Sequence, residues 1–272
     1  IAIERDVPCV QMALDELSQM FDNLSMLLEK GEVPHPKFVV TSCRSARDIA
    51  EVVGERHFDI VLDVSFFRSS DGVECFKSIP GHYDFGGRIT TKQKSTETVV
   101  QFQICTGSNL VFKPICEKLS DGSYRRTETA KNLRYFLQNV FRKDDFRPGQ
   151  LPILNRALRN ESVIGLLPTG GGKSLTYQLA GMMQPGIVLV VDPLQSLMKD
   201  QVDGLKRNGI TACAYINSSM GREEQLKAQE LSVSGNCKFI FVSPERLSMP
   251  GYRNSLLEMY NNGLYFSYGV VD

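Results

Sequence analysis

The chain has 272 residues, 42% of them hydrophobic and 23% charged, and its 31 basic side chains are balanced by 31 acidic ones. That composition suits a globular protein with apolar material for about two domains of ordinary size. Net neutrality excludes a protein that captures nucleic acid by overall basicity, though a local basic groove stays open, and apolar stretches of only strand length argue against a membrane helix.

In chain order, residues 9–30 carry apolar side chains at helical spacing, ending near Gly31. After the breaker Pro34-His35-Pro36, the run Phe38-Val39-Val40-Thr41 reads as a strand, 45–53 as a helix, and 58–64 as another strand. Residues 68–125 turn to Gly, Ser, Thr and β-branched types, including Gly86-Gly87-Arg88-Ile89-Thr90 and the run 98–104, which reads as loops and short strands. A basic stretch, Tyr124-Arg125-Arg126, leads into a helix near 129–141. Beyond it, predicted strands at 162–167, 187–192, 211–216, 238–242 and 268–272 alternate with helices at 174–183, 194–207, 221–233 and 252–260. Such alternation predicts a parallel sheet flanked by helices. The expected division is an N-terminal region, 1–125, of smaller α/β or α+β type, followed by an α/β domain over 126–272.

The seven cysteines are scattered without a Cys-x-x-Cys pair, and His35, His57 and His82 do not cluster with them, so zinc is not expected. Reduced, buried thiols fit a cytoplasmic protein, and no segment reads as a secretory leader. Because it opens on Ile1 rather than Met, the chain reads as a piece of a longer polypeptide.

The strongest chemical signal is Leu167-Pro168-Thr169-Gly170-Gly171-Gly172-Lys173-Ser174, placed between a predicted strand and a predicted helix. Consecutive glycines let backbone N–H groups turn toward one anion, and a helix N-terminus adds partial positive charge. Lys173 is then placed to reach the β- and γ-phosphates of a nucleotide, and the Ser174 hydroxyl to ligate Mg²⁺. The strict phosphate-loop pattern has Gly where this chain has Leu167. The bland alternative is a Gly-rich turn followed by a chance Lys-Ser.

With Pro168-Thr169-Gly170, the loop resembles the variant of superfamily 2 helicases, and Phe146-Arg147-Pro148-Gly149-Gln150 resembles the adenine-reading motif of RecQ-family helicases. The resemblance implies that Gln150 bonds the adenine edge, for which its amide has one suitable donor and acceptor, with Phe146 and Arg147 against the base. Val190-Val191-Asp192-Pro193-Leu194-Gln195-Ser196-Leu197-Met198-Lys199 is similar to a family segment that contacts the DNA backbone, but Asp192 stands where a Ser is usual. A carboxylate repels phosphate, so Ser196 and Lys199, not Asp192, are the candidates; Leu194, Leu197 and Val202 read as core. Ile216-Asn217-Ser218-Ser219 resembles a strand-end turn of the family, or else a helix cap. Phe241-Val242-Ser243-Pro244-Glu245-Arg246-Leu247 resembles a later DNA-contact motif, making Ser243 and Arg246 further candidates, with a structural pairing of Arg246 as the equal alternative.

Tyr268-Gly269-Val270-Val271-Asp272 matches the strand that in the family runs into Asp-Glu-Ala-His, so Asp272 corresponds to the acid that holds Mg²⁺. The resemblance covers about 130–272. It implies a RecA-like fold, ATP and Mg²⁺ as cofactors, and DNA as partner at single strands and single/double-strand junctions. It also implies 3′→5′ unwinding by a parent chain that carries a second RecA-like domain. The piece itself, ending at Asp272, is expected to turn over little ATP. The rival reading is a nucleotide-binding switch or scaffold module that does not separate strands. In the N-terminal region, Asp59, Asp63, Asp71, Glu74 and Lys77 invite a metal-dependent nuclease reading, but their spacing departs from the restriction-endonuclease pattern and solvated carboxylates are the default. An accessory docking or strand-guiding role is the expectation there.

Overall fold

The computed structural model describes residues 2–3, 8–29, 38–41, 60–63, 88–90, 109–217, 220–235 and 237–272. The chain divides into two compact units, Ile1–Asp22 with Glu32–Gln101, and Asn23–Gly31 with Phe102–Asp272. The segments 34–36, 45–53 and 98–104, together with Asp59, Asp71, Glu74, Lys77, Ser218 and Ser219, lie outside the described residues.

In the first unit, β1 (Ala2–Ile3), β2 (Phe38–Thr41), β3 (Ile60–Asp63) and β4 (Arg88–Thr90) form one sheet in that order. The first three strands are parallel and β4 is antiparallel. Helix α1 (Pro8–Leu27) follows β1, as a parallel pair requires a long crossover. Pro8 stands at its first position, where the missing N–H has no intrahelical partner to lose.

The end of α1 belongs to the second unit. Leu27 is fully buried there, Leu28 bridges Phe112, and the Lys113 N–H donates to the Leu27 carbonyl. A hairpin of β5 (Cys116–Lys118) and β6 (Tyr124–Arg126) follows, its turn held by Asp121, which accepts from the Ser123 N–H and hydroxyl. Helices α2 (Thr129–Phe141) and α3 (Gln150–Leu158) each bury one apolar stripe, Leu133, Leu137 and Phe141 on α2 and Leu151, Leu154 and Leu158 on α3. Asn155 of α3 accepts the Ile115 N–H at 2.8 Å and so fastens the hairpin.

The rest is a parallel α/β sheet, as the alternation predicted. Helix α4 (Lys173–Met183), β7 (Ile187–Val191), α5 (Gln195–Arg207), β8 (Cys213–Ile216), α6 (Arg222–Val233), β9 (Phe239–Val242), α7 (Pro244–Ser248), α8 (Pro250–Asn261) and β10 (Phe266–Val271) follow in turn. The strand order is β10-β7-β9-β8, all parallel. Every residue of β9 is buried because helices cover both faces, which is why it reads Phe-Ile-Phe-Val without polar alternation. Ile187, Ala214, Ile216, Ile240 and Val242 pack with Tyr252 and Met259 of α8 on one face. On the other face α4 lies close enough that a Cβ on Gly181 would stand 2.7 Å from Val188 and 2.9 Å from Phe239.

One predicted strand is absent. Residues 162–167 join no sheet among the described residues, and Ile164 and Leu166 are about nine-tenths exposed. The run shares a groove with Ser267 to Val271 of β10 and with Asp272 but makes no ladder with them. Its apolar letters met the requirement for a strand, but a strand also needs a neighbour about 4.8 Å away, which local sequence does not encode. Among the described residues no helix is long and apolar enough to cross a membrane.

Candidate nucleotide site

Parallel strands deliver their next residues to one edge of the sheet. The register sets Val191 beside Val242 and Val271, and Ile216 beside Val242, so Asp192, Asn217, Ser243 and Asp272 follow four strands in a row. In open α/β sheets ligands bind at this carboxyl edge. Asp192, Asn217 and Ser243 are buried, whereas Asp272 is exposed and its N–H donates to the Val191 carbonyl at 3.0 Å.

The loop from Thr169 to Ser174 meets this edge at the start of α4. Gly172 adopts φ +78°, a left-handed conformation open to glycine, and a Cβ there would stand 2.5 Å from the Gln150 side chain. Gln150 is 1% exposed, and its amide is committed to the loop. Its Nε2 donates to the carbonyls of Gly171 (3.1 Å) and Gly172 (3.0 Å), while its Oε1 accepts the Arg147 N–H at 2.8 Å. The Arg147 guanidinium donates to the Gly170 carbonyl. Three successive loop carbonyls are therefore held by the segment 147–150. Because a trans peptide points its C=O and following N–H in opposite directions, this grip turns the N–H groups of Gly172 and Lys173 away from α3, toward the side an anion would occupy. The sequence reading assigned Gln150 and Arg147 to a base, and it missed their hold on the loop. Phe146 is buried, and with Arg147, Pro148 and Tyr124 it lines a second cleft beside the loop.

On the opposite side, Lys173 and Asp272 line one groove of about 600 Å³. Tyr177, one helical turn beyond Lys173, donates its hydroxyl to Asp272 Oδ2 at 3.2 Å. Burial, and then the Asp272 charge, pushes the Tyr177 phenol far above its ordinary range, so it stays a donor at every working pH. Its position on the helix face of Lys173 and Ser174 was available from spacing; its carboxylate partner was not. The Ser174 hydroxyl lies beside Tyr177 and accepts from Gln201 Nε2 of α5 at 2.9 Å.

These groups fit a nucleotide with Mg²⁺. The loop leaves N–H donors at a helix N-terminus for phosphate, and a hydroxyl and a carboxylate tied through one phenol are hard oxygen donors of the kind Mg²⁺ takes.

The strand-contact candidates separate into two kinds. Ser196 and Lys199 are exposed on the first turns of α5. Ser243 is 3% exposed, and Arg246 donates to Gln225 Oε1 of α6, an amide and not the carboxylate expected of a structural pairing. Asp192, set aside as a strand contact, is buried, and its Oδ1 accepts the Leu194 N–H at 2.8 Å at the start of α5. Burial raises its carboxyl above the usual range, that backbone bond opposing, with the Asp272 charge a smaller raising influence.

Comparison with known proteins agrees with this geometry. Residues 147–260 match the family described as DEAD/DEAH box helicase. The chain is 44% identical over 111 residues to the ATP-dependent DNA helicase RecQ of Haemophilus influenzae, covering 41% of this chain and 18% of the relative. It is 43% identical over 118 residues to the probable ATP-dependent DNA helicase RecS of Bacillus subtilis, covering 43% and 23%. It is 40% identical over 148 residues to the ATP-dependent DNA helicase Q-like 5 of Arabidopsis thaliana, covering 54% and 16%. The chain thus spans less than a quarter of the length of these relatives. Over the region that holds the loop and the row of strand ends, the chain is similar to these RecQ-type helicases and matches the DEAD/DEAH box helicase family.

Proposed function

We propose that residues 126–272 are the first motor domain of an ATP-dependent DNA helicase of RecQ type, and that 1–125 serve it as an accessory module. The observation that carries this reading is one loop gripped from two sides. Gln150 and Arg147 hold its carbonyls, and Lys173 and Ser174 open α4 against the Tyr177–Asp272 pair. Lys173 binds the β- and γ-phosphates, and Gln150 and Arg147 seat the base once their side chains turn from the loop carbonyls. Phe146 supports that cleft, and the loop Thr169 to Gly172 supplies backbone N–H donors, that of Gly171 on release from the Pro168 carbonyl. Mg²⁺, held by Ser174 and Asp272, supplies neutralisation of phosphate charge. Exposed Ser196 and Lys199 take the phosphates of a single strand or of a single/double-strand junction, positioning it without reading sequence. Ser243 and Arg246 join that surface only on release from burial and from Gln225.

The parent protein is proposed to move 3′→5′, with a second RecA-like domain closing on ATP and reopening after hydrolysis. A polypeptide of residues 1–272 alone is expected to bind nucleotide with little turnover, since the family sets its water-activating glutamate one position after Asp272. Strand displacement on 3′-tailed and 5′-tailed duplexes tests the parent. Unwinding confined to the 3′-tailed substrate and abolished by Lys173→Ala is the expected result. Unwinding that survives Lys173→Ala refutes the role of the loop.

A further inference from the structure

Two glutamines stand behind the candidate metal ligand. Gln178 of α4 is 8% exposed, and its Nε2 donates to Gln201 Oε1 at 2.8 Å. Gln201, on the second turn of α5, passes its own Nε2–H to Ser174 Oγ at 2.9 Å. The amide of Gln201 is thereby fixed in orientation: its acceptor is occupied from one side, so its donor must face Ser174. A serine hydroxyl has one proton and two lone pairs. Gln201 fills one lone pair, and the proton has the neighbouring Tyr177 phenol within reach. One lone pair of a held rotor is left. Tyr177 in turn donates to Asp272, so the chain of bonds from Gln178 ends on the second candidate cation ligand.

We infer that Gln201 is a positioning residue, orienting the Ser174 hydroxyl for a divalent cation and tying the position of α5 to the cation's ligand. The inference rests on the nucleotide-binding reading above. The same helix presents exposed Ser196 and Lys199 five and two residues before Gln201. A shift of α5 under a bound strand would therefore be felt at Ser174 through one hydrogen bond, without any change in the loop. Partners that orient a metal ligand through its second bond commonly tune metal affinity about 10–100-fold.

The test is a fluorescence titration of the 272-residue chain with a labelled ADP, in Mg²⁺ and in EDTA. Gln201→Ala is expected to lower the Mg²⁺-dependent gain in affinity about tenfold while affinity in EDTA stays at its wild-type value, with the thermal midpoint falling by the few degrees that the loss of two hydrogen bonds costs. In a Ser174→Ala background the same substitution is expected to do nothing further, because the ligand it orients is gone. Gln201→Met, which keeps the volume, takes its place if the alanine variant does not fold. An undiminished Mg²⁺ gain overturns the inference, as does an equal loss with and without Mg²⁺, or an undiminished effect in the Ser174→Ala background. A wild-type chain that binds no ADP, or whose binding survives Lys173→Ala, overturns the nucleotide reading itself. That outcome is separate, because it is read before any Gln201 variant is compared.

Discussion

Gln150→Ala perturbs the loop and the base cleft together, and its consequences can be separated. The substitution removes three hydrogen bonds, two from Nε2 to the Gly171 and Gly172 carbonyls and one from the Arg147 N–H to Oε1. At about 1 kcal/mol net for each, the ceiling is about 3 kcal/mol. Water can reach the partly exposed glycines, so about 2 kcal/mol is the expected loss, and a fall of about 6 °C in the thermal midpoint follows for a unit of this size. Freeing the loop carbonyls lets the N–H groups of Gly172 and Lys173 turn away from phosphate. That part of the loss is blind to the base and weakens ATP and GTP alike, about tenfold for every 1.4 kcal/mol. Loss of an amide that pairs with the adenine edge falls on ATP alone. Titrating both nucleotides against wild type and variant therefore distinguishes a loop clamp from a base reader. We expect both affinities to fall, with ATP falling further and the preference for ATP collapsing. Gln150→Glu should harm the loop more than alanine, since it sets a carboxylate against two carbonyl oxygens. A Gln150→Ala chain with unchanged midpoint and unchanged affinity for both nucleotides would refute the clamp.

Lys199→Ala is expected to weaken binding of single-stranded oligonucleotides evenly across sequences and to reduce the slope of log affinity against log salt by about 1; an unchanged slope would show that Lys199 only faces solvent. Cys237 is 1% exposed, and burial, with the neighbouring Cys213 a lesser cause, raises its thiol from 9.0 to about 12. The unfolded chain thus releases this proton first, so the stability due to the buried thiol is fully present below pH 9 and is lost as the pH rises toward 12. The destabilisation caused by Cys237→Ala, measured by urea unfolding, should accordingly shrink between pH 9 and pH 12, and a constant difference would contradict the burial of the thiol.

Much of the second unit was legible because its signals are local. Helical spacing placed Thr129–Phe141 and Gln195–Arg207, and apolar runs placed the four strands β7 to β10, each to within about two residues. The loop was legible for the same reason: glycines that permit a left-handed backbone, with Lys173 and Ser174 directly after them, are read along the chain without knowing what packs nearby. The resemblance to RecQ-family motifs then extended the reading to Gln150 and Asp272. By itself the sequence thus determined that a glycine-rich turn of phosphate-loop type stands between an apolar run and a helix, and that parallel strands alternate with helices around it.

Only the tertiary structure decided which partners these residues take. Residues 162–167 have the composition of a strand yet form none, since pairing depends on a second backbone brought alongside. Gln150 reaches loop carbonyls 21 and 22 residues away, Gln201 reaches Ser174 across 27, and Tyr177 reaches Asp272 across 95. Arg246 finds an amide on α6, 21 residues away, as a partner that its motif did not name. The physical reason is common to all of them. Backbone conformation is set by steric and solvation preferences within a few residues, whereas a side-chain hydrogen bond is set by where the packed core leaves its donor and acceptor.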